Sequence, residues 1–159
     1  MKQGTLSDAI AHFRAAIALA PKFAPPHANL GRALSLQGRN AAAVAELRTF
    51  LQLKPDQPQV MGLLAGILAT APEDSVRSGK DAVQLAQKAA QLTPHRDVAV
   101  LNALAAAYAE TGRYKEAVQV GEQALALASA FGPQPLVAAI QRRIACYRGN
   151  KPFHQPARH

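Results

Sequence analysis

The sequence predicts an all-α protein in which helix pairs stack into a right-handed α–α superhelix. One observation is a pattern that recurs after 34 residues: Ala9, Phe13, Ala16 and Pro21 return as Ala43, Leu47, Phe50 and Pro55. Another is that glycines and prolines fall between the predicted helices. The third is an alanine-rich composition with 5% aromatic residues and no tryptophan, which favours close helix packing over a sheet. A fixed period of this size indicates a helical repeat array.

Eight helices account for the apolar pattern, and we expect them near residues 6–20, 25–37, 40–53, 59–71, 79–92, 97–111, 114–129 and 134–148. They form about three and a half helix-pair repeats: a half repeat at 4–23, then repeats at 24–57, 58–96 and 97–130. The eighth helix has apolar residues at helical spacing and closes the array as a capping helix at 133–148. Residues 149–159 contain two prolines and little apolar content, so we expect a basic, mobile tail.

Small residues at fixed positions let the helix backbones approach closely, and larger residues three or four positions away fill the space between pairs. The small positions of the first helices are Gly31, Ala65 and Ala105. Glycine permits the positive φ that ends a helix, so we assign turns to Gly4, Gly38 and Gly112. Thr5 and Asn40 are predicted to cap the helices that begin after them.

Two motifs, HANLGRAL…GRNAAAVAELRTFLQLKP and LNALAAAYAETGRYKEAVQVGEQAL, resemble tetratricopeptide repeats. The resemblance covers residues 4–129 and departs from the family at His27 and Leu101, where tryptophan is frequent, and at the longer loop TAPEDSVRSGK. The segment around that loop is similar to the C-terminal repeats of larger bacterial tetratricopeptide proteins, some of them attached to membrane glycosyltransferases. The resemblance implies a solenoid whose concave groove holds a protein or peptide partner.

The same resemblance implies that the first helix of each pair lines the groove. Helix phase then puts a set of polar side chains on the concave side, which are our candidate ligand-binding residues: Asn29, Arg32, Gln59, Asn102 and Glu110. Around them the smaller concave residues are Ser35, Gly62, Gly66, Thr70 and Ala106. Some family members clamp a C-terminal carboxylate with an asparagine and basic residues, but Gln59 and Leu63 replace the basic residues here. We expect Asn29 and Asn102 to bond a peptide backbone and Arg32 to pair with an acidic side chain.

Catalytic, cofactor and metal motifs are missing from the sequence, so we expect no enzyme, no cofactor and no metal site. Gly79-Lys80 lacks the earlier glycine of a phosphate-binding loop, because Asp74 stands in that position. The five histidines are scattered along the chain. Cys146 is the only cysteine, which excludes a disulfide within the chain.

The net charge of +8 is uneven along the chain. Residues 1–141 hold 13 basic and 10 acidic residues, whereas residues 142–159 hold 5 basic residues and no acidic one. A basic end attracts nucleic acid, anionic lipid or an acidic partner, although a solvated tail is the simpler interpretation. The longest apolar stretch, 60–71, is shorter than the roughly 20 residues of a membrane span. We expect a cytoplasmic protein or, alternatively, the soluble portion of a membrane-attached protein.

Three functions stay open on the sequence alone. The leading one is a non-catalytic protein–protein interaction scaffold, and the second is a C-terminal docking or regulatory segment of a larger bacterial enzyme such as a membrane glycosyltransferase. The third, an RNA-binding helical repeat, is disfavoured because the charge lies outside the repeats and the groove lacks aromatic residues. We also expect helix 6–20 to expose Ile10, Phe13 and Ile17 and to support self-association.

Overall fold

A computed structural model of the chain describes residues 3–93 and 97–157. The helices within these ranges are α1 (Gln3–Leu19), α2 (Ala24–Leu36), α3 (Asn40–Leu53), α4 (Pro58–Thr70), α5 (Gly79–Leu92), α6 (Val98–Glu110), α7 (Tyr114–Phe131) and α8 (Gln134–Arg148). The described ranges contain no strand. The predicted all-α superhelix is confirmed, with helix ends shifted by at most three residues from the predicted ones.

The helices pack as successive pairs. α2 packs against α3, α4 against α5 and α6 against α7, while α1 packs on α2 and α8 packs on α7. Between pairs, α4 lies closely along α6 but touches α2 only marginally. This order places α2, α4, α6 and α8 along one concave side, which is the side where the candidate site lies.

Glycines in the left-handed region end two of the first helices. Gly38 has a φ of 77° and Gly112 a φ of 76°. The chain then closes each helix end with a backbone hydrogen bond; Arg39 N donates to Leu34 O at 2.9 Å, for example. The predicted role of these two glycines is confirmed. The turn predicted at Gly4 is wrong, because Gly4 lies inside α1.

Small residues let the paired helices touch, as the contact between α2 and α3 illustrates. A Cβ atom on Gly31 would lie 2.7 Å from Leu47 Cγ, so the two helices approach more closely than alanine would permit. Ala43 and Leu47 are 0% exposed at this contact. Fully burying a leucine side chain contributes roughly 1.5–3 kcal/mol. Such contacts recur in each pair and produce core clusters that extend through the array.

Both predicted N-caps are wrong. Thr5 lies within α1, and Asn40 is the first residue of α3 rather than its cap. The Asn40 side chain is buried, and its Nδ2 donates to Glu73 Oε2 at 3.0 Å. Asn40 therefore connects α3 to the long loop between α4 and α5, a contact between residues 33 positions apart that local sequence does not reveal.

The apolar residues that are exposed near α1 are not the ones that the sequence predicts. Ile10 is only 4% exposed, which contradicts its predicted exposure, and Phe13 and Ile17 are half-buried against the same core. The reason is that α2 already covers this face of α1. The large apolar side chains that are more than half exposed among the described residues are instead Leu19, Phe23 and Leu36. Self-association through this end of the array stays a prediction.

Candidate ligand-binding groove

A groove of about 900 Å³ runs along the concave side. Helices α2, α4, α6 and α8 all contribute residues to its lining. The described residues that line it are Arg32, Ser35, Gln59, Gly62, Leu63, Gly66, Ile67, Thr70, Thr93, Asp97, Val98, Ala99, Asn102, Ala103, Leu136, Arg143 and Gln155. About half of these residues are polar, but most of the surface that they expose to the groove is apolar, which is the usual make-up of a ligand site.

The glycines on the groove floor serve helix packing first. A Cβ atom on Gly62 would lie 3.1 Å from Val100 Cγ2, so Gly62 permits the close approach of α4 and α6. Gly66 faces more open space, since a Cβ atom there would meet Ala103 Cβ only at 3.8 Å. The close approach of the two helices leaves a smooth floor below the polar side chains.

Three of the five predicted ligand-binding residues meet in the groove. Arg32 extends from α2, Gln59 from the first turn of α4 and Asn102 from the middle of α6. Their side chains make no hydrogen bond or ion pair with other residues that the structure describes. Within the described part of the chain, the hydrogen-bonding groups of all three side chains are therefore unused.

The other two predicted residues lie elsewhere. Asn29 is exposed on α2, one turn before Arg32, and does not line the groove. Glu110, the last residue of α6, accepts from Arg77 Nε at 3.2 Å through Oε1. Its second oxygen, Oε2, lies 2.7 Å from His154 Nε2. Glu110 is therefore already engaged by two basic side chains at the edge of the groove.

Arg77 anchors the long loop beside Glu110. Its Nη1 donates to Ala71 O at 2.7 Å and to Pro72 O at 3.0 Å, and its Nη2 pairs with Asp74. The guanidinium thus satisfies carbonyl groups just beyond α4 and holds the Glu110 carboxylate in place. The adjacent acids of the loop have structural roles, because Glu73 accepts from Asn40 and Asp74 pairs with Arg77.

Arg143 on α8 is a groove residue that the sequence reasoning missed. Its guanidinium carbon lies 4.9 Å from the centre of the Phe153 ring, within cation–π range. No carboxylate pairs with it in the described part of the chain. Burial lowers the pKa of Arg143. A sequence signal existed, since Arg143 shares one helix face with Leu136, Ile140 and Tyr147, which are buried or half-buried.

The charge in the groove is positive on balance. Of the described residues that line it, only Asp97 is acidic, and its Oδ1 accepts from Ala99 N at 2.9 Å and Val100 N at 3.1 Å as the cap of α6. Arg32 and Arg143 lack such partners. Basic side chains therefore outnumber acidic ones in the described lining of the groove.

The C-terminal residues, predicted to be a mobile tail, have defined contacts as far as Gln155. Asn150, with a φ of 53°, turns the chain back after α8, and Lys151 N donates to Cys146 O at 3.0 Å. Phe153 packs beside buried Tyr147, and Gln155 N donates to Thr70 O at 2.8 Å. The tail thus crosses the edge of the groove, and Gln155 forms part of the lining.

Two further properties of the described residues bear on function. No group of three or more His, Cys, Asp or Glu side chains there is arranged to hold a metal ion. Likewise, none of the helices in the described ranges combines the length and apolar character needed to cross a membrane.

Comparison with known proteins adds the family context. Two models of the tetratricopeptide repeat family match, one over residues 1–71 and the other over residues 98–134. No curated protein sequence matches the chain. Among 54 solved chains that match, a crystal structure of the MamA protein has a TM-score of 0.68 at 15% identity, covering 93% of this chain and 81% of that one. A second MamA crystal structure gives 0.68 at 14% identity, covering 93% and 90%. At these identities the likeness concerns the fold.

Proposed function

Because the chain is a tetratricopeptide repeat protein, and hence a protein-interaction scaffold, we propose that its concave groove binds an extended peptide of a protein partner. The observation that carries this proposal is the meeting of Arg32, Gln59 and Asn102 over a floor of small residues, with no partner for their side chains in the described chain. The fold is typical of non-catalytic interaction modules. In an extended peptide the backbone N–H and C=O groups point outward and meet such side chains.

The side chains that line the groove indicate which residues a bound peptide should carry. Arg32 is exposed on the wall and suits an acidic side chain, while Leu63, Val98 and Leu136 offer half-buried apolar surface on either side. A neutral hydrogen bond at Gln59 or Asn102 contributes about 0.5–1.5 kcal/mol. Affinity is therefore modest and spread over several contacts. We propose a peptide with one acidic residue flanked by apolar residues.

Single-stranded RNA fits this lining less well. RNA-binding surfaces stack bases on aromatic side chains, and no aromatic side chain occurs among the described residues that line the groove. The groove also lacks a row of cations that could follow a phosphate backbone, since Arg32 and Arg143 are its only basic residues within the described ranges. The lining supports a peptide rather than a nucleic acid.

The test is a selection from a library of extended peptides of acidic, neutral and basic composition, followed by affinity measurements on the selected peptides. We expect acidic peptides to be enriched. Arg32→Gln should weaken their binding by about tenfold at low salt, and Asn102→Ala by about threefold. Arg14→Gln, which removes a charge from the exposed face of α1, is the matched control and should leave affinity unchanged.

A variant with three substitutions in the groove is the strongest test of the proposal. Arg32→Gln, Gln59→Ala and Asn102→Ala change only side chains that no described residue contacts through hydrogen bonds, so the fold should persist. If this variant folds and keeps the same peptides at the same affinity, the groove is not the binding surface. Asn29→Ala should have less effect than any of the three, because Asn29 lies outside the groove lining.

A further inference from the structure

Three consecutive tail residues contact three different helices of the array. Phe153 lies against Arg143 of α8, His154 against Glu110 of α6, and Gln155 against Thr70 of α4. We call Thr70, Glu110 and Arg143 the rim site. Thr70 and Glu110 are the last residues of α4 and α6, and Arg143 lies in the C-terminal half of α8. The tail from Lys151 adopts neither helix nor strand over its described residues.

The contact at Thr70 recognises both the backbone and the side chain of Gln155. Gln155 N donates to Thr70 O at 2.8 Å, and Gln155 Nε2 donates to Thr70 Oγ1 at 3.1 Å. The carbonyl at a helix C-terminus has no partner within the helix, so it is a ready acceptor for an incoming peptide N–H. Thr70 Oγ1 is itself held in place, since it donates to Gly66 O at 2.8 Å. An extended peptide with an amide side chain fits this arrangement.

The other two positions select the residues that precede the amide. Glu110 is half-buried, and Arg77 holds one of its oxygens while the other faces His154 at 2.7 Å. A basic side chain is therefore preferred at this position. One place earlier, Phe153 lies over the Arg143 guanidinium and packs beside the cluster that contains Tyr108, Tyr114 and Tyr147. An aromatic ring is preferred there.

We propose that the rim site is a second peptide-binding site, which takes extended segments reading aromatic, basic, amide in consecutive positions. The chain's own Phe153, His154 and Gln155 occupy it, and a partner segment of the same chemistry displaces them. This inference rests on the proposed function only in that the two sites adjoin, because Thr70, Arg143 and Gln155 line the groove as well. A partner that fills the whole groove must therefore move the tail.

A free peptide competes with the tail at a disadvantage, because the tail is covalently attached beside the rim site. The tail is joined to α8 by the turn at residues 149–152, and a tethered ligand of this kind has an effective concentration on the order of millimolar. A free peptide of equal intrinsic affinity is outcompeted until its own concentration approaches that value. Loss of the tail contacts should therefore reveal binding that the intact chain suppresses.

The experiment measures binding of a labelled synthetic peptide with the sequence of residues 151–157, Lys-Pro-Phe-His-Gln-Pro-Ala, to two full-length chains. One is the unchanged chain, and the other carries Phe153→Ala, His154→Ala and Gln155→Ala. We expect the altered chain to bind the peptide at least tenfold more tightly. A peptide with alanine at the same three positions should bind neither chain. Equal, weak binding of the unaltered peptide to both chains would overturn the proposal.

Controls separate this proposal from the groove proposal. Thr70→Val in the altered chain should weaken the synthetic peptide, whereas Arg32→Gln in the same chain should not. Binding that depends on Arg32 and ignores Thr70 would assign the peptide to the groove and refute the rim site. Lys151→Ala changes an exposed tail side chain, so this variant should bind the labelled peptide as weakly as the unchanged chain does.

Two further outcomes decide between alternatives. If the chain changed at Phe153, His154 and Gln155 does not fold, Gln155→Ala alone can be used, because it removes only the side-chain bond to Thr70. This variant should still bind the peptide more tightly than the unchanged chain does, and no rise in affinity would refute the proposal. If the unchanged chain forms a dimer by sedimentation that the tail variant does not form, the tail binds between copies, and occupancy within one chain is refuted.

Discussion

The turn between α6 and α7 and the turn after α8 are closed by the same hydrogen bonds. In the first, Gly112 N donates to Ala109 O at 3.0 Å and Arg113 N to Tyr108 O at 2.8 Å. In the second, Asn150 N donates to Tyr147 O at 3.0 Å and Lys151 N to Cys146 O at 3.0 Å. The left-handed residue is a glycine with φ 76° in one and an asparagine with φ 53° in the other.

The segments after the two turns differ completely in structure, and side chains explain the difference. After Gly112 the chain continues as α7, which fits small residues such as Ala117 against α6. Counting from the turn, Gln155 and Pro156 take the places of Ala117 and Val118. Gln155 is too large for a fully buried alanine position, and a proline inside a helix loses a hydrogen bond and clashes with the preceding turn. The turn therefore only reverses the chain, and the residues beyond it determine whether the next segment is a helix or extended.

The largest effect of a single substitution is expected in the packed core of the array rather than at either turn. Leu47→Ala removes a fully buried side chain between α2 and α3, and we expect the free energy of unfolding to fall by about 2–5 kcal/mol. Chemical denaturation monitored by circular dichroism measures it. Leu53→Ala, at an exposed position of the same helix, is the control and should change it far less. Equal effects at both positions would show that the small-residue contact does not hold the pair together.

Tyr147 links α8 to the tail and gives the region a pH dependence. It is 1% exposed, its hydroxyl has no hydrogen-bond partner in the described chain, and burial raises its pKa from 10.0 to about 12. As the pH rises, the unfolded chain loses the Tyr147 proton before the folded chain does. The contribution of this group to the free energy of unfolding is therefore fully present below pH 10 and is lost as the pH rises to about 12. The loss amounts to about 2–3 kcal/mol.

The comparison of Tyr147→Phe with the unchanged chain isolates this contribution. Every other group is the same in the two chains, so its contribution cancels when the two stability curves are subtracted. We expect the variant to be at least as stable at pH 7, since it removes a buried hydroxyl without a partner, and to lose less stability between pH 10 and 12. Parallel stability curves for the two chains would contradict the burial of this hydroxyl.

The two turns themselves should respond unequally to alanine. Gly112→Ala forces a Cβ atom into the left-handed region and should cost about 1–2 kcal/mol, although no other atom lies within 4 Å of the new Cβ. Asn150→Ala should cost less than about 1 kcal/mol, because asparagine already bears part of that backbone strain. Thermal denaturation of both variants shows which substitution destabilises the fold more. A larger loss of stability for Asn150→Ala than for Gly112→Ala would contradict this prediction.

The smallest effect is expected in the tail. Phe153→Ala removes the ring over Arg143 and should lower the free energy of unfolding by about 1 kcal/mol, whereas a tail without contacts would show no change. Lys151→Ala is the matched control, with its side chain exposed. If the two variants have the same melting temperature, the ring does not contribute to the folded state.

The sequence predicts the elements that repeat and misses the contacts that cross the array. The eight helices and the turns at Gly38 and Gly112 follow from the period. The groove positions of Arg32, Gln59 and Asn102 follow from the resemblance to tetratricopeptide repeats together with helix phase. The tail contacts join residues 44 and 85 positions apart, at His154–Glu110 and Gln155–Thr70, and no local pattern predicts them. Asn40 illustrates the same limit, because its bond to Glu73 overrides a sound local expectation of a cap.

Amide hydrogen exchange at Gln155 tests most directly whether the tail lies in the rim site. In the full-length chain this N–H donates to Thr70 O, so we predict exchange at least about tenfold slower than in an unstructured peptide. Phe153→Ala should accelerate it, while the amides of α6 keep their protection. Exchange of the Gln155 amide at the unstructured rate, in a chain whose helices are fully protected, would contradict the docked tail and with it the comparison of the two turns.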